Sequence, residues 1–367
     1  MSGITQSGNK ISRLNRRDAM ATSAGGLLAM CGWQHALGQT TAGRIKVGQI
    51  GTGHAHATKM SVYRTSPDYE VVGIVEPNAE LQAKAKSNAA YRDLPWMTEE
   101  ELLGQGELQV VLVETEVAQL LDVAERCIAA GKHIHLDKPA GASLPQLQRI
   151  VADALKRKRM IQMGYMYRYN PAIVLLHEFL DKGWLGDVFE IHAVMSKVVD
   201  ARGRAVLAQQ PGGTMFELGC HLIDLVVGVL GKPQSIASFN KRSGKHDDAL
   251  VDNMLAVLDY KHATASIKSS AVEVEGFSRR HFVVCGTEGT FHVQPLDRPS
   301  ARVALSKSRG EYTRGYQDVE FPQYERYVAD AADMVSVLRG EKSNAFSYAH
   351  DLSVQESVLR ASGLPID

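Results

Sequence analysis

Three short segments of this chain carry side chains that can do chemistry, at spacings that let them act together. The first is Gly131-Lys132-His133-Ile134-His135-Leu136-Asp137-Lys138-Pro139, a short apolar strand closed by an acid, a lysine and a proline. A lysine at the carboxyl end of a parallel strand stands where such sheets bind ligands. Its ammonium can orient a hydroxyl and hold the negative charge that appears when the proton leaves. The second segment runs from Gly212 to Asp224, with Glu217 and His221 four residues apart and so on one face of a helical turn. A carboxylate beside an imidazole sets its tautomer and stabilises the protonated ring, which suits His221 to general acid–base work with Glu217 as partner. Asp224 follows one turn later and reads as a supporting or merely polar helix residue. The third is Gly51-Thr52-Gly53-His54-Ala55, whose glycines let backbone approach a pyrophosphate at a helix start.

Glu76 closes the next strand 23 residues after Gly53, the spacing of an acid that accepts hydrogen bonds from an adenosine ribose. A carboxylate there repels a 2′-phosphate, so the expected cofactor is NAD rather than NADP. Gly51, Thr52, Gly53, His54, Ala55 and Glu76 would hold it, with Lys138 at its reactive end. His54/His56 and His133/His135 have ligand spacing, but the sequence places no third ligand and no metal is expected. Arg168, just before an expected helix start at Pro171, could touch substrate or pack between domains. Lys197, followed by Arg202 and Arg204, could meet a polyol or a substrate carboxylate, or lie in a solvated loop.

The elements that must position these residues can be read from the pattern. Short apolar strands are expected at 45–50, 69–75, 108–113, 133–136 and 160–164, with helices between them at 57–63, 79–90, 117–130 and 144–157. Ser143 is the expected N-cap of the last of these helices. Strands alternating with helices and lacking hairpin turns make a parallel, doubly wound sheet. After residue 165 the rhythm changes to strands at 188–199, 234–240, 250–260, 263–272, 281–293 and 301–306, which suggests an antiparallel sheet. Helices return at 322–339 and 347–361.

Composition is ordinary for a globular protein, with 44% apolar and 22% charged residues and no formal net charge. No basic field argues for nucleic acid, and no apolar run of spanning length argues for membrane insertion. Cys127, Cys220 and Cys285 have neither metal spacing nor a disulfide framework. Residues 1–38 read as a twin-arginine export signal, with Arg16-Arg17 ahead of an Ala/Gly-rich apolar run. The expected location is therefore periplasmic or otherwise exported; without that signal it is cytoplasmic.

A nucleotide turn, then Asp-Lys-Pro at a strand end, then Glu-x-x-x-His resembles the Gfo/Idh/MocA-type oxidoreductases from about residue 44 onward. The resemblance implies an α/β Rossmann-like domain with a parallel sheet over 44–164, and an α+β domain with a largely antiparallel, open-faced sheet over 165–345. It further implies a C-terminal helix within 346–367 that packs back on the first domain, and a Lys138–Pro139 peptide that is often cis. The implied activity is NAD-dependent hydride transfer at a sugar or polyol hydroxyl. Lys138, His221 and Glu217 would be catalytic, and Lys138, Arg168, Lys197, Glu217 and His221 would bind substrate. Export with a retained cofactor also admits a redox-neutral glycoside hydrolase or lyase. A nucleotide-binding sensor without chemistry is a third reading. The family commonly uses the sheet's outer face for assembly, so a homo-oligomer is compatible with the sequence. Three departures stand out: His56 replaces the third glycine of the fingerprint, Glu114 to Gln119 replace a segment that usually carries a histidine, and Glu217 stands where the family usually has aspartate.

Overall fold

A computed structural model describes residues 43–367. The expected export signal at 1–38 lies outside the described residues. Strands β1 (Ile45–Ile50), β2 (Tyr69–Val75), β3 (Val110–Val113), β4 (His133–Leu136) and β5 (Ile161–Met163) form a parallel sheet in the order β2-β1-β3-β4-β5. β3 is buried along its whole length, as expected of a central parallel strand covered on both faces. The connecting helices are α1 (Met60–Thr65), α2 (Ala79–Lys86), α3 (Glu99–Leu103), α4 (Leu120–Ala129) and α5 (Leu144–Arg157). Ser143 caps α5 by accepting from the Gln146 N–H. β2 lies on one side of β1 and β3 on the other, so the strand order reverses between β1 and β3. Open α/β sheets bind ligands in the crevice beyond the strand ends at such a point.

The second sheet has eight strands in the order β13-β12-β11-β10-β6-β9-β8-β7. They are β6 (Val188–Ser196), β7 (Ser235–Lys241), β8 (Asn253–Asp259), β9 (Thr264–Ser270), β10 (His281–Gly286), β11 (Gly289–Val293), β12 (Ala301–Leu305) and β13 (Gly315–Val319). All neighbours run antiparallel except β6 and β9. β8 alternates buried and half-buried residues, the signature of a sheet with one covered and one open face. Helices α6 (Pro171–Asp181), α8 (Cys220–Leu230) and α11 (Tyr348–Ala361) pack against the sheet, while α7 (Ala201–Ala208) follows β6. The short α9 (Gly276–Arg279) precedes β10, and the remaining long helix is α10 (Val328–Leu338).

Several elements differ from expectation. The 281–293 segment is two strands folded at Gly286–Gly289, β13 was not anticipated, and 201–208 is a helix where a loop was expected. The helix expected over 322–339 begins only at Val328, because Tyr327 stands in the left-handed region at φ 70°. Among the described residues no helix is long and apolar enough to cross a membrane.

Arg168 ties the two sheets together. Its guanidinium takes Asp224 of α8 at 2.6–3.1 Å and Asp351 of α11 at 2.7 Å, and lies 4.0 Å from the Phe346 ring centre. α11 packs on both α8 and α5, so this ion triad joins the domains. Of the two roles open to Arg168 in the sequence, the geometry is that of the seam. Removing one partner of a buried ion pair strands the other charges at a cost of about 3–5 kcal/mol. Arg168→Met is therefore expected to lower the denaturation free energy by about that amount, measured by urea unfolding.

Candidate active site

Register brings the site together. Ile50 pairs with Val113, and Val113 with Leu136, so the residues just past β1, β3 and β4 stand side by side. Gly51 has φ +91°, and a Cβ on it would meet the Thr115 backbone nitrogen at 2.4 Å. Only glycine fits, on both conformational and steric grounds. Thr52 donates its N–H (2.7 Å) and its hydroxyl (2.8 Å) to Glu76 Oε2, and Asn78 N–H donates to Glu76 Oε1 at 3.0 Å. Glu76 thus pulls the glycine turn against the end of β2, while Gly53 and Ala55 remain exposed. A glycine cradle at the switch point with an acid at the next strand end suits a dinucleotide. The buried Thr115 hydroxyl beside it has no hydrogen-bond partner among the described residues.

Under this turn lies a buried ionic cluster that spacing did not reveal. The Lys59 ammonium, 1% exposed, stands 2.9 Å from Glu114 Oε1, 2.8 Å from Asp137 Oδ2 and 2.7 Å from His135 Nε2. Burial works against its charge, but the two carboxylates outweigh it and hold Lys59 above the ordinary lysine value. Burial also opposes the charge on Asp137, yet His54 and Lys59 hold that carboxyl well below the usual range. Glu114 goes the other way: burial first, then Asp137, raise it well above the ordinary glutamate value. His54, expected on the cofactor, turns inward: Nδ1 is 3.0 Å from Asp137 Oδ2 and Nε2 is 3.0 Å from the Lys138 carbonyl. His56 Nδ1 is 3.2 Å from Asp137 Oδ1, and burial brings that imidazole down to about 4.

Two groups in this cluster, His54/His56/Asp137 and Glu114/His135/Asp137, bring ligand-type atoms within 4.8 Å of one another. In the second group the cation is Lys59 itself, at hydrogen-bond distance from all three members. The signal for Lys59 in the sequence was a cation two residues into the helix after the glycine turn, which means little until the strand ends are aligned.

Lys138 follows Asp137 through a clamped peptide. Its N–H donates to Asp137 Oδ1 at 2.7 Å, and the Lys138–Pro139 bond is cis. Its ammonium, also 1% exposed, donates to Glu217 Oε1 at 3.0 Å and to the Glu217 carbonyl at 2.9 Å. Burial opposes the Lys138 charge, but Glu217 outweighs it and keeps the group a cation. The sequence paired Glu217 with His221; the structure pairs it with Lys138. Met215–Gly219 is wound as a π-helix, which takes Glu217 out of the α-helical register with His221. His221, at the start of α8, packs edge-on against Tyr167 (5.1 Å) and Tyr165 (6.1 Å) and lies 5.8 Å from His56. Burial, then Lys138 and His56, hold it well below the ordinary histidine value, so the ring is neutral. His221 Nδ1 and Glu217 Oε2 are buried without a hydrogen-bond partner among the described residues. Buried polar atoms are nearly always satisfied, so both have the capacity to take a polar group of a ligand or a water. Lys197 sits just past β6 within electrostatic reach of Lys138 and Glu217. Arg204 is buried on Asp248 and Asp252 and forms part of the second domain's scaffold.

Residues 45–165 match a family model described as oxidoreductase family, NAD-binding Rossmann fold, and residues 173–292 match the GFO/IDH/MocA C-terminal domain. Over 222 residues the chain is 27% identical to trans-1,2-dihydrobenzene-1,2-diol dehydrogenase from Macaca fuscata fuscata, covering 59% of this chain and 65% of that relative. An Agrobacterium radiobacter oxidoreductase solved with NAD+, L-tartaric acid and magnesium superposes with a TM-score of 0.74 at 17% identity, over 88% of this chain and 97% of that one. A Desulfitobacterium hafniense oxidoreductase described as NADPH-dependent gives 0.73 at 21% identity, over 88% and 95%. At these identities the structural likeness speaks to the fold alone.

The buried imidazoles set a pH dependence. His135 is lowered to about 3 by burial and Lys59, and His56 to about 4. Between those values and the unfolded pKa near 6.5 the unfolded chain binds more protons, so their contribution is lost as pH falls through that window. Glu114 and Asp330, both raised by burial, act in the opposite sense and make the net loss smaller. Each imidazole contributes about 1.4 kcal/mol per pH unit within its window. His135→Gln is therefore expected to lose less thermal stability than the wild type between pH 6.5 and pH 4, read as the melting midpoint against pH.

Proposed function

The chain belongs to the Gfo/Idh/MocA oxidoreductase family, and on that premise we propose that it is an NAD-dependent enzyme moving a hydride between nicotinamide and a sugar or polyol CH–OH group. The observation that carries this reading is the juxtaposition of a clamped, charged Lys138 with a neutral His221 whose ring nitrogen is buried and unsatisfied. Gly51, Thr52, Gly53, Ala55 and Glu76 would hold the dinucleotide, and when bound its nicotinamide supplies the hydride acceptor or donor.

The chain's own residues supply the rest. Neutral His221 takes the proton from the substrate hydroxyl as the carbon–hydrogen bond gives up its hydride, and the carbon–oxygen bond becomes a carbonyl. The Lys138 ammonium holds the oxygen while negative charge builds on it. Glu217 aims Lys138 and keeps it protonated. Tyr165 and Tyr167 wall the imidazole and limit water around it. Glu76 favours NAD over NADP, since a 2′-phosphate would meet its carboxylate.

The Arg16-Arg17 leader is read as a signal for export in the folded state, which requires the cofactor to be bound first and kept. A retained cofactor is compatible with a redox-neutral cycle, in which a transient oxidation acidifies the adjacent C–H and the hydride is then returned.

Lys138→Met is expected to lower kcat by roughly 10²–10⁴-fold. Nucleotide released on denaturation, identified by mass spectrometry, should be the same NAD or NADH for variant and wild type. Full turnover by the variant would sink the assignment of Lys138, and released NADP would overturn the reading of Glu76.

A further inference from the structure

Around the catalytic lysine one cation, Lys197, makes no ion pair among the described residues. β6 ends at Ser196 and delivers Lys197, whose N–H donates to the Ser270 carbonyl at 3.0 Å. On the other side Gly276 packs so closely that a Cβ there would stand 2.7 Å from the Ser196 carbonyl and 2.9 Å from the Lys197 nitrogen. The backbone at Lys197 is thus held from two sides, and its half-buried side chain starts from a fixed point. The charges that act on it are Arg280, Glu217, Lys138 and Asp200.

The neighbouring acids are turned to other groups, although Glu217 keeps Oε2 unpartnered and Asp200 makes no ion pair. Glu217 holds Lys138 at 3.0 Å, and Asp200 accepts the Gly203 N–H at 2.7 Å as the N-cap of α7. Asp297 takes Arg280 at 2.9 Å, the Tyr167 hydroxyl at 2.6 Å, and also Arg326. One carboxylate therefore serves two guanidiniums beside Tyr167, the residue that packs on His221. Among the described residues Lys197 makes no ion pair. The substrate side of the site carries an excess of positive charge, concentrated between Lys197 and Arg280.

An ammonium partly removed from water and flanked by other cations is costly without a counter-ion. We propose that the counter-ion is a carboxylate of the substrate, so that the site selects a sugar acid over a neutral sugar. This rests on the reading of Lys138 and His221 as the reacting centre, which fixes the side of the site on which the acid group lies. The carboxylate seats on the Lys197 ammonium with Arg280 behind it, while the reacting hydroxyl meets Lys138 and His221. Burial, and then Arg280, lower the Lys197 pKa below the ordinary lysine value. Affinity for the acid therefore falls at a lower pH than an exposed lysine would give. It also falls with rising salt.

The test uses the purified protein with its bound nucleotide and calorimetric titration with three matched pairs: D-glucuronate and D-glucose, D-galacturonate and D-galactose, D-gluconate and D-glucitol. At least one acid is expected to bind roughly 10- to 100-fold more tightly than its neutral partner, the range for a hydrogen bond to a charged group. Lys197→Gln should erase that preference, and Lys197→Arg, which keeps the cation, should restore most of it. The proposal is overturned if no acid outbinds its neutral partner, or if Lys197→Gln keeps the preference. Failure of the underlying oxidoreductase reading shows separately, as a protein that releases no nicotinamide nucleotide on denaturation.

Discussion

The Lys59 ammonium is the interaction on which the site depends. Parallel strands β3 and β4 both end in acids, Glu114 and Asp137, and their register sets these side by side in the interior. Two buried carboxylates side by side repel each other, so Glu114 is driven towards its protonated form while a cation is needed to keep Asp137 an anion. Lys59 provides it from the segment following the glycine turn, and so fastens the first crossover to the strand ends. Asp137, held as an anion, in turn accepts the Lys138 N–H, while His54 reaches the Lys138 carbonyl. The Lys138 peptide is thereby gripped on both faces. Preorganisation of this kind is what allows a charged group to act without reorganising during the reaction.

The second domain completes the centre through a helix start of unusual geometry. Residues 215–219 open into a π-turn, and the Glu217 carbonyl and carboxylate both close on the Lys138 ammonium. The same chain then enters α8 and presents His221 to the same space. The two groups are thus separated by environment: Lys138 is kept charged by a carboxylate, and His221 is kept neutral by burial and by Lys138 itself. Holding these pieces in one place falls to the Arg168 triad, which locks the segment between the domains onto α8 and α11. A single buried cation at the seam and another at the strand ends therefore position most of the candidate site groups.

The first domain was largely legible in the sequence. Ile45–Ile50, Tyr69–Val75 and His133–Leu136 are strands over the residues expected, and Ser143 caps its helix, because apolar runs, turn residues and caps are local signals. The second domain was less so. β13 is short and half exposed, and the 201–208 helix has little apolar periodicity, so neither stands out from loop. Arg168 also carried two readings that spacing could not separate, since its carboxylate partners lie 56 and 183 residues away.

What the sequence determined by itself is the identity and order of the candidate site residues: the glycine turn, Glu76, Lys138, Glu217 and His221. Those follow from residue type and near-neighbour spacing, which are local properties of the chain. Tertiary structure alone decided which of them touch. Glu217 serves Lys138 because a π-turn shifts its register, His54 faces inward because Asp137 lies beneath it, and Lys59 matters because β3 and β4 end level with each other. Electrostatic partnership depends on distance and burial in space, and no pattern along the chain encodes either for residues that meet only after the sheets have formed.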